Sequence, residues 1–136
     1  MKISVYRKAH FNAAHRLHVQ AWSDEKNREV FGVCNNPLYH GHNYELVVKV
    51  TGEPDPESGY LIDMRIIRDV IYEEVELHMD HRNLNLEVPE FETLNPTAEN
   101  IAVVIWNRIR KRIPGHLALT ILLYETERNF VEYSGE

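Results

Sequence analysis

The sequence is short of cysteine, of long apolar runs and of clustered basic residues, and each shortage excludes a class of protein. Its only cysteine, Cys34, cannot form a disulfide within the chain, which favours a reducing compartment. The longest apolar run, Ile101–Trp106, has six residues, whereas a helix that spans a bilayer needs about 20. Fifteen lysines and arginines against 21 aspartates and glutamates give a net charge of −6 without a basic block. We therefore expect neither a membrane nor a nucleic acid as a partner.

Histidine, by contrast, is abundant, with eight residues in a chain of 136. This length predicts a single domain over residues 1–136, which can bury enough apolar surface to fold without a structural metal. Any metal that the histidines bind is therefore expected to be functional. Met1–Ser4 leads directly into polar residues, without the basic and apolar segments of a secretion signal. We expect a cytoplasmic protein.

Alternation of apolar and polar residues predicts four strands, because successive side chains of a strand point to opposite faces. The strands cover Ile3–Leu17, His40–Thr51, Leu117–Leu123 and Asn129–Tyr133. The second has the most regular pattern. Between the first two strands, Val19–Pro37 loses the alternation and predicts an ordered loop with a helical turn at Asp24–Phe31.

Three- and four-residue spacing of apolar side chains predicts two helices. The first follows the N-cap residue Asp63 and ends near His78, and the second follows the N-cap residue Thr97 and ends before Pro114. The resulting order is β-β-α-α-β-β. It predicts an α+β fold in which a four-stranded antiparallel sheet has both helices on one face.

The strongest chemical signal is the pair His40 and His42 at the start of the second strand. Residues two apart on a strand share a face and lie about 6–7 Å apart, so both imidazoles can reach one ion. His15, near the end of the first strand, is the natural third ligand if the two strands pair. Three nitrogen ligands leave a fourth position open, which is typical of catalytic zinc. The alternative is a set of unrelated polar histidines.

Cys34 lies six residues before His40 and is followed by Asn35, Asn36 and Pro37, which favours an accessible position. A lone cysteine is most often a small buried apolar residue. Beside a metal or an imidazolium, however, its thiol would ionise more easily and could act as a base or nucleophile. The sequence leaves both interpretations open.

Three further groups of polar residues have a structural and a chemical interpretation. Asp80 and His81 follow the first helix and form either a polar junction or a proton relay. Glu125 follows the third strand and is either solvated or bound to a heterocycle by two parallel hydrogen bonds. The stretch Thr97-Ala98-Glu99 is first of all a helix start. Lys8, Arg16, Arg82 and Arg128 flank these motifs and are candidates for binding an anionic group.

Together, these motifs resemble the 6-pyruvoyltetrahydropterin synthase family over essentially the whole chain. The shared stretches, in the family's order and spacing, are Phe11–Leu17, Phe31–Pro37, His40–Tyr44, Met79–Leu84, Glu99–Val103 and Tyr124–Thr126. The resemblance implies a tunnelling fold and a homohexamer, built as a dimer of trimers with active sites between subunits. The substrate it implies is a small pterin triphosphate.

The resemblance also implies a role for each candidate residue. His15, His40 and His42 would bind Zn²⁺, Cys34 would be the general base, and Asp80 with His81 would support it as a proton relay. Glu125 would anchor the pterin, with Thr97, Ala98 and Glu99 as further substrate contacts. Triphosphate would be eliminated from 7,8-dihydroneopterin triphosphate without an external redox cofactor.

Several functions remain open at this point. The step from Cys34 to His40 resembles the enzymes of tetrahydrobiopterin biosynthesis, whereas Leu38, Tyr39 and Ala98 depart from that type. The departures keep 6-carboxytetrahydropterin synthase of queuosine biosynthesis as an alternative. A branch of the family that feeds folate synthesis has a glutamate in place of the catalytic cysteine, so the presence of Cys34 disfavours that branch. A non-enzymatic pterin- or metal-binding module and a structural protein with incidental histidines are the remaining alternatives.

Overall fold

One mixed sheet organises the protein, whose computed structural model describes residues 1–136. Its five strands are β1 (Ile3–His15), β2 (His40–Gly52), β3 (Arg82–Asn83), β4 (Ala118–Tyr124) and β5 (Phe130–Tyr133). They lie in the order β3-β1-β2-β4-β5. All neighbours pair antiparallel except β1 and β3, which are parallel.

Helices fill the connections between the first four strands in the sequence, β1 to β4. They are α1 (Asp24–Phe31), α2 (Met64–Ile71), α3 (Leu77–Met79), α4 (Leu84–Glu87) and α5 (Ala98–Arg110). A π-helical segment, Tyr72–Glu76, joins α2 to α3 without a break, and 3₁₀ segments cover Gly32–Asn35 and Pro89–Glu92. The side chains of Asp63 and Thr97 accept backbone hydrogen bonds at the starts of α2 and α5, which confirms both predicted N-caps. No helix combines the length and apolar character needed to cross a bilayer.

The predicted α+β class is correct, but the predicted four-stranded antiparallel sheet in β-β-α-α-β-β order is wrong in detail. The sheet has a fifth strand, β3, which pairs parallel with β1 at Ala13 and Ala14. This strand has two polar residues, Arg82 and Asn83. A strand that short has no alternation for a sequence pattern to detect, and its pairing is fixed by tertiary contacts.

The core lies between one face of the sheet and two helical stretches, the continuous one from α2 to α3 and α5. Odd-numbered residues of β1 and even-numbered residues of β2 point into it, as the burial of Phe11, Ala13, Tyr44 and Leu46 shows. The helices contribute aliphatic side chains, among them Ile67, Val70, Ile71, Val75, Ile101, Ile105 and Ile109. Even-numbered β1 residues lie on the opposite face, which no helix covers.

Strand register places the candidate site at one end of the sheet. His15 pairs with His40, and Ala13 pairs with His42. All three histidines therefore lie where β1 ends and β2 begins. The last residue of β4, Tyr124, pairs with Glu45 and brings Glu125 to the same end. The fold therefore gathers residues more than 100 positions apart in sequence.

Candidate active site

Three imidazoles form a compact cluster where β1 and β2 meet. One nitrogen from each of His15, His40 and His42 lies within 4.8 Å of the other two. The Nε2 atoms of His15 and His40 are 3.0 Å apart. Two ligands of one tetrahedral zinc, each about 2.0–2.1 Å from it, stand roughly 3.3 Å apart, so this spacing suits a shared ion.

Hydrogen bonding fixes the orientation of His15, which is fully buried. Its Nδ1–H donates to the carbonyl oxygen of Pro96 at 2.8 Å, which leaves Nε2 as the atom with a free lone pair. Burial lowers the pKa of His15 to about 4, and burial followed by the neighbouring His42 lowers the pKa of His40. Both rings are therefore neutral at physiological pH, the form in which imidazole binds metals.

Two buried nitrogen atoms in the cluster, Nδ1 of His40 and Nε2 of His42, have no hydrogen-bond partner. A buried polar atom without a partner costs about 1–3 kcal/mol, so such atoms are uncommon in folded proteins. A cation coordinated by Nε2 of His42 would remove one of these costs. The donor set of three imidazoles, with no other ligand type, fits zinc and leaves one coordination position free.

Cys34 is half-buried in the 3₁₀ segment Gly32–Asn35, between the extremes of a core and a surface residue. Burial, followed by the negative charge of Glu125, raises the pKa of its thiol. The sequence analysis expected a thiol that ionises easily beside a metal or an imidazolium. The charges of the chain itself do not lower the pKa of Cys34. At the same time, a raised pKa makes the thiolate a stronger base once it forms.

Glu125 borders both the histidines and a second pocket. Its Oε1 lies 3.9 Å from Nε2 of His42. It also lines a pocket of about 410 Å³ with Thr97, Ala98 and Glu99, three residues that the sequence placed near the substrate. The hydroxyl of Thr97 already accepts the backbone N–H of Asn100 as an N-cap. Five other residues complete the lining: Leu17, Arg128, Asn129, Phe130 and Val131.

Asp80 and His81 pair with each other, although they are adjacent in sequence. Oδ1 of Asp80 accepts the backbone N–H of Asn12 at 2.9 Å and lies 3.1 Å from Nδ1 of His81. The bond from Asn12, and then His81, lowers the pKa of Asp80. His81 adopts a φ of 59°, a left-handed conformation that is uncommon outside glycine and marks functional sites more often than other positions.

This pair does not join Cys34 within the chain. Asp80 and His81 line a groove of about 770 Å³ together with Lys8, His10, Asn12, Asn43 and Glu45, which belong to the uncovered face of the sheet. Neither Cys34 nor any of the three clustered histidines lines this groove. The structure thus brings seven of the ten candidate residues to one end of the sheet: His15, His40, His42, Thr97, Ala98, Glu99 and Glu125. Cys34 is close enough to this group for the charge of Glu125 to raise the pKa of its thiol. Asp80 and His81 lie apart, in the groove.

Sequence reasoning missed Tyr44 and Pro96. Tyr44 is fully buried, stacks on Phe11 and has its hydroxyl 3.4 Å from Nδ1 of His15. The two-residue period of β2 places it on the same face as His40 and His42, so that pattern could have identified it. The carbonyl of Pro96 has no sequence signal, because its contact with His15 depends on how α5 approaches the sheet.

The four cationic candidates differ in their surroundings. Lys8 lies 3.5 Å from Glu45, and Arg82 lies 3.3 Å from Glu87, so both are paired with carboxylates within the chain. Arg16 donates from Nε to the carbonyl oxygen of Asn35. Arg128 lines the Glu125 pocket, which makes it the cation that lies with the candidate substrate contacts.

Comparison with known proteins identifies the family. A family profile described as 6-pyruvoyl tetrahydropterin synthase matches residues 4–136. The 6-pyruvoyl tetrahydrobiopterin synthase of Poecilia reticulata is 44% identical over 126 residues, which cover 93% of this chain and 86% of the relative. The protein of the same name from Homo sapiens is 42% identical over 132 residues, which cover 97% of this chain and 91% of the relative.

A solved structure agrees with the sequence relatives. The 6-pyruvoyl tetrahydropterin synthase of Caenorhabditis elegans is 36% identical and aligns with a TM-score of 0.94 over 100% of this chain and 97% of that one. The resemblance inferred from the motifs is confirmed. The chain belongs to the 6-pyruvoyl tetrahydropterin synthase family.

Proposed function

We propose that the protein is a zinc-dependent 6-pyruvoyltetrahydropterin synthase. It eliminates triphosphate from 7,8-dihydroneopterin triphosphate and rearranges the product to 6-pyruvoyltetrahydropterin. The observation that supports this most directly is the convergence of three imidazoles beside Glu125, which itself lines a pocket outside the cluster. The relatives that cover nearly the whole chain are named for the same reaction.

His15, His40 and His42 would hold the zinc. Bound there, it would act as a Lewis acid on the hydroxyl oxygens of the substrate side chain and acidify the adjacent C–H bonds. The chain contributes the fixed geometry: the carbonyl of Pro96 holds His15, and the strand register holds His40 and His42 on the same face.

Glu125 orients the other end of the substrate. A carboxylate accepts two parallel hydrogen bonds from the amide and amino N–H groups of a pterin ring, which fixes the ring in one plane. Because Glu125 is also 3.9 Å from His42, a pterin held by it would place its side chain toward the histidine cluster. Arg128 in the same pocket is suited to the negative charge of the phosphate groups.

Cys34 accepts the proton at its Sγ atom. Its high pKa makes the thiolate a strong base but a scarce one at neutral pH, so positive charge near the site must oppose Glu125 before the proton is transferred. Elimination then releases triphosphate, and internal proton transfers reduce the ring while the side chain becomes a pyruvoyl group. A free thiol used in this way favours a reducing compartment such as the cytoplasm.

Asp80 and His81 serve a neighbouring subunit in this proposal. Within one chain they line a groove on the uncovered face of the sheet, away from Cys34. In a homohexamer made of two trimers, that face would meet another copy, and the pair would support proton transfer at the partner's thiol.

Product identification tests the proposed reaction. Purified, zinc-loaded protein is incubated with 7,8-dihydroneopterin triphosphate, and triphosphate and pterin products are followed by chromatography and mass spectrometry. We expect one triphosphate released per 6-pyruvoyltetrahydropterin formed. 6-Carboxytetrahydropterin with acetaldehyde would instead identify the queuosine reaction. If a zinc-loaded oligomer binds the pterin without turnover, a binding module replaces both enzymes.

A further inference from the structure

Asn35 is one of three polar residues that the fold buries, and it directly follows Cys34. Apart from the hydroxyl of Tyr44, the polar side chains among the buried residues belong to His15, Asn27 and Asn35, and Asn35 is 5% exposed. His15 belongs to the histidine cluster. The two asparagines both lie between β1 and β2, Asn27 in α1 and Asn35 at the end of the 3₁₀ segment Gly32–Asn35.

Hydrogen bonds of Asn35 and Cys34 connect the turn that carries the thiol, Gly32–Asn35, to the residues just after His15. Nδ2 of Asn35 donates to the carbonyl of Leu17 at 2.7 Å and lies 3.0 Å from Nδ1 of His18. The carbonyl of Asn35 accepts Nε of Arg16 at 2.9 Å. The backbone N–H of Leu17 donates to the carbonyl of Cys34, also at 2.9 Å.

The turn needs this support because its own backbone bonds are few. Cys34 lies in a four-residue 3₁₀ segment, a conformation with poorer hydrogen-bond geometry than an α-helix. The segment begins at Gly32, whose φ of 57° marks an abrupt change of direction after α1. A single backbone bond, from Leu17 to the carbonyl of Cys34, links the segment to the residues after β1, so the position of the thiol also depends on side-chain contacts.

Asn27 forms a similar set of bonds at a different place. Its Oδ1 accepts the backbone N–H of Val19 at 2.7 Å, and its Nδ2 donates to the carbonyls of Val19 and Ser23 at 2.9 and 3.1 Å. It stabilises the same loop but bonds neither to Cys34 nor to residues 16–18. Asn27 therefore provides a control for loop stability without a link to the thiol.

We propose that Asn35 is the positioning residue for Cys34: its side chain binds the thiol-bearing turn to Leu17 and His18, which follow His15 at the end of β1. The inference rests on the proposed function, in which Cys34 accepts a proton. A shift of about 1 Å in a reacting group can cost about 100-fold in rate, so the placement of this turn affects turnover directly.

The test compares Asn35→Ala with Asn27→Ala in the zinc-loaded full chain. For Asn35→Ala we expect kcat to fall roughly 10- to 100-fold with KM and zinc content close to wild type. Because Cys34 is the only cysteine, its alkylation by iodoacetamide reports the thiol alone. The pH profile of that rate should shift in Asn35→Ala and stay unchanged in Asn27→Ala, although both variants unfold at a lower temperature.

The result distinguishes a positioning role of Asn35 from a role in stability alone. If Asn35→Ala keeps the wild-type alkylation profile and kcat, Asn35 only stabilises the fold and the inference is wrong. If wild type forms no product while the alkylation profile of Asn35→Ala still shifts, the proposed function fails and the positioning role stands. Asn35→Ser, whose hydroxyl is too short to reach both Leu17 and His18, provides the same measurement if the alanine variant does not fold.

Discussion

At the scale of single residues, the choice between an enzyme and a binding module depends on Cys34. The histidine cluster alone is compatible with both, since three imidazoles can hold a metal for storage or for chemistry. Cys34 is the group in this neighbourhood that we propose as the proton acceptor. Burial and Glu125 both raise the pKa of its thiol.

Replacing this thiol separates proton transfer from metal binding. In Cys34→Ala we expect zinc content close to wild type and a rate of triphosphate release at least about 100-fold lower, the usual contribution of a general base. Elemental analysis and a triphosphate assay on the same preparation measure both quantities. His42→Ala is the matched variant and should lose zinc as well as activity. Loss of zinc in Cys34→Ala would make Cys34 a fourth ligand and close the open position.

The residues of this cluster could be predicted because their geometry is local. His40 and His42 share a face through the two-residue period of a strand, and that period does not depend on the rest of the fold. Glu125 was a candidate because it is a carboxylate at a strand end, whereas its role with a pterin and the contacts Thr97, Ala98 and Glu99 came from the family resemblance. Their meeting in one pocket depends on how the end of β4 approaches the start of α5, which no local pattern determines.

At the scale of elements, one arginine holds together segments that have little regular structure. Arg108 of α5 donates from Nε and Nη2 to both carboxylate oxygens of Glu90, at 2.6 and 2.7 Å. Its Nη1 donates to the carbonyl of Glu74 at 2.9 Å. The 3₁₀ segment Pro89–Glu92 and the π-helical segment are thereby fixed to the same helix.

Removing the charge of Glu90 should lower stability in a pH-dependent way. The bonds from Arg108 lower the pKa of Glu90, so its stabilising effect is complete above the usual glutamate value and is lost as pH falls through the lowered one. We expect Glu90→Gln to lose about 1 kcal/mol at pH 7, since the pair is partly exposed. Urea unfolding at pH 7 and at lower pH measures this difference, which should shrink on acidification.

A more exposed pair provides the control for this measurement. Arg112 donates to Glu73 at 2.8 Å, with side chains 39% and 50% exposed. Glu73→Gln should change the unfolding free energy less than Glu90→Gln at pH 7. Equal losses in the two variants, or a loss in Glu90→Gln that persists unchanged in acid, would contradict the role assigned to the Arg108 bonds.

Capping residues and periodicity predicted where the two main helices begin, whereas no sequence pattern predicted the short elements. Asp63 and Thr97 begin their helices as predicted, because an N-cap side chain acts within three residues of itself. The two-residue strand β3, the four-residue α4 and the 3₁₀ segments have too few residues to show a period. Their positions come from tertiary contacts, such as the pairing of β3 with β1 and the bonds of Gly32–Asn35 to residues 16–18.

At the scale of the whole molecule, one chain contains two partial sites on different sides of the sheet. The histidines, Cys34 and Glu125 lie at the end of the helix-covered face, and Asp80 with His81 lies in the groove of the uncovered face. The uncovered face also leaves large apolar side chains exposed, including Tyr6 at 54%. Association of copies through this face would join the two partial sites.

Mixing two inactive variants tests whether one site uses residues from two chains. Cys34→Ala lacks the thiol, and His81→Ala lacks the relay, so we expect each oligomer alone to be nearly inactive. In randomly mixed oligomers formed by co-expression, about one quarter of the sites would combine an intact Cys34 with an intact His81 from a neighbour, and about a quarter of wild-type activity should return. If both residues acted within one chain, no mixed site would be intact. A co-expressed mixture that stays inactive, at the wild-type oligomer size by chromatography, would therefore contradict a shared site, and mixing the purified oligomers without subunit exchange provides the baseline.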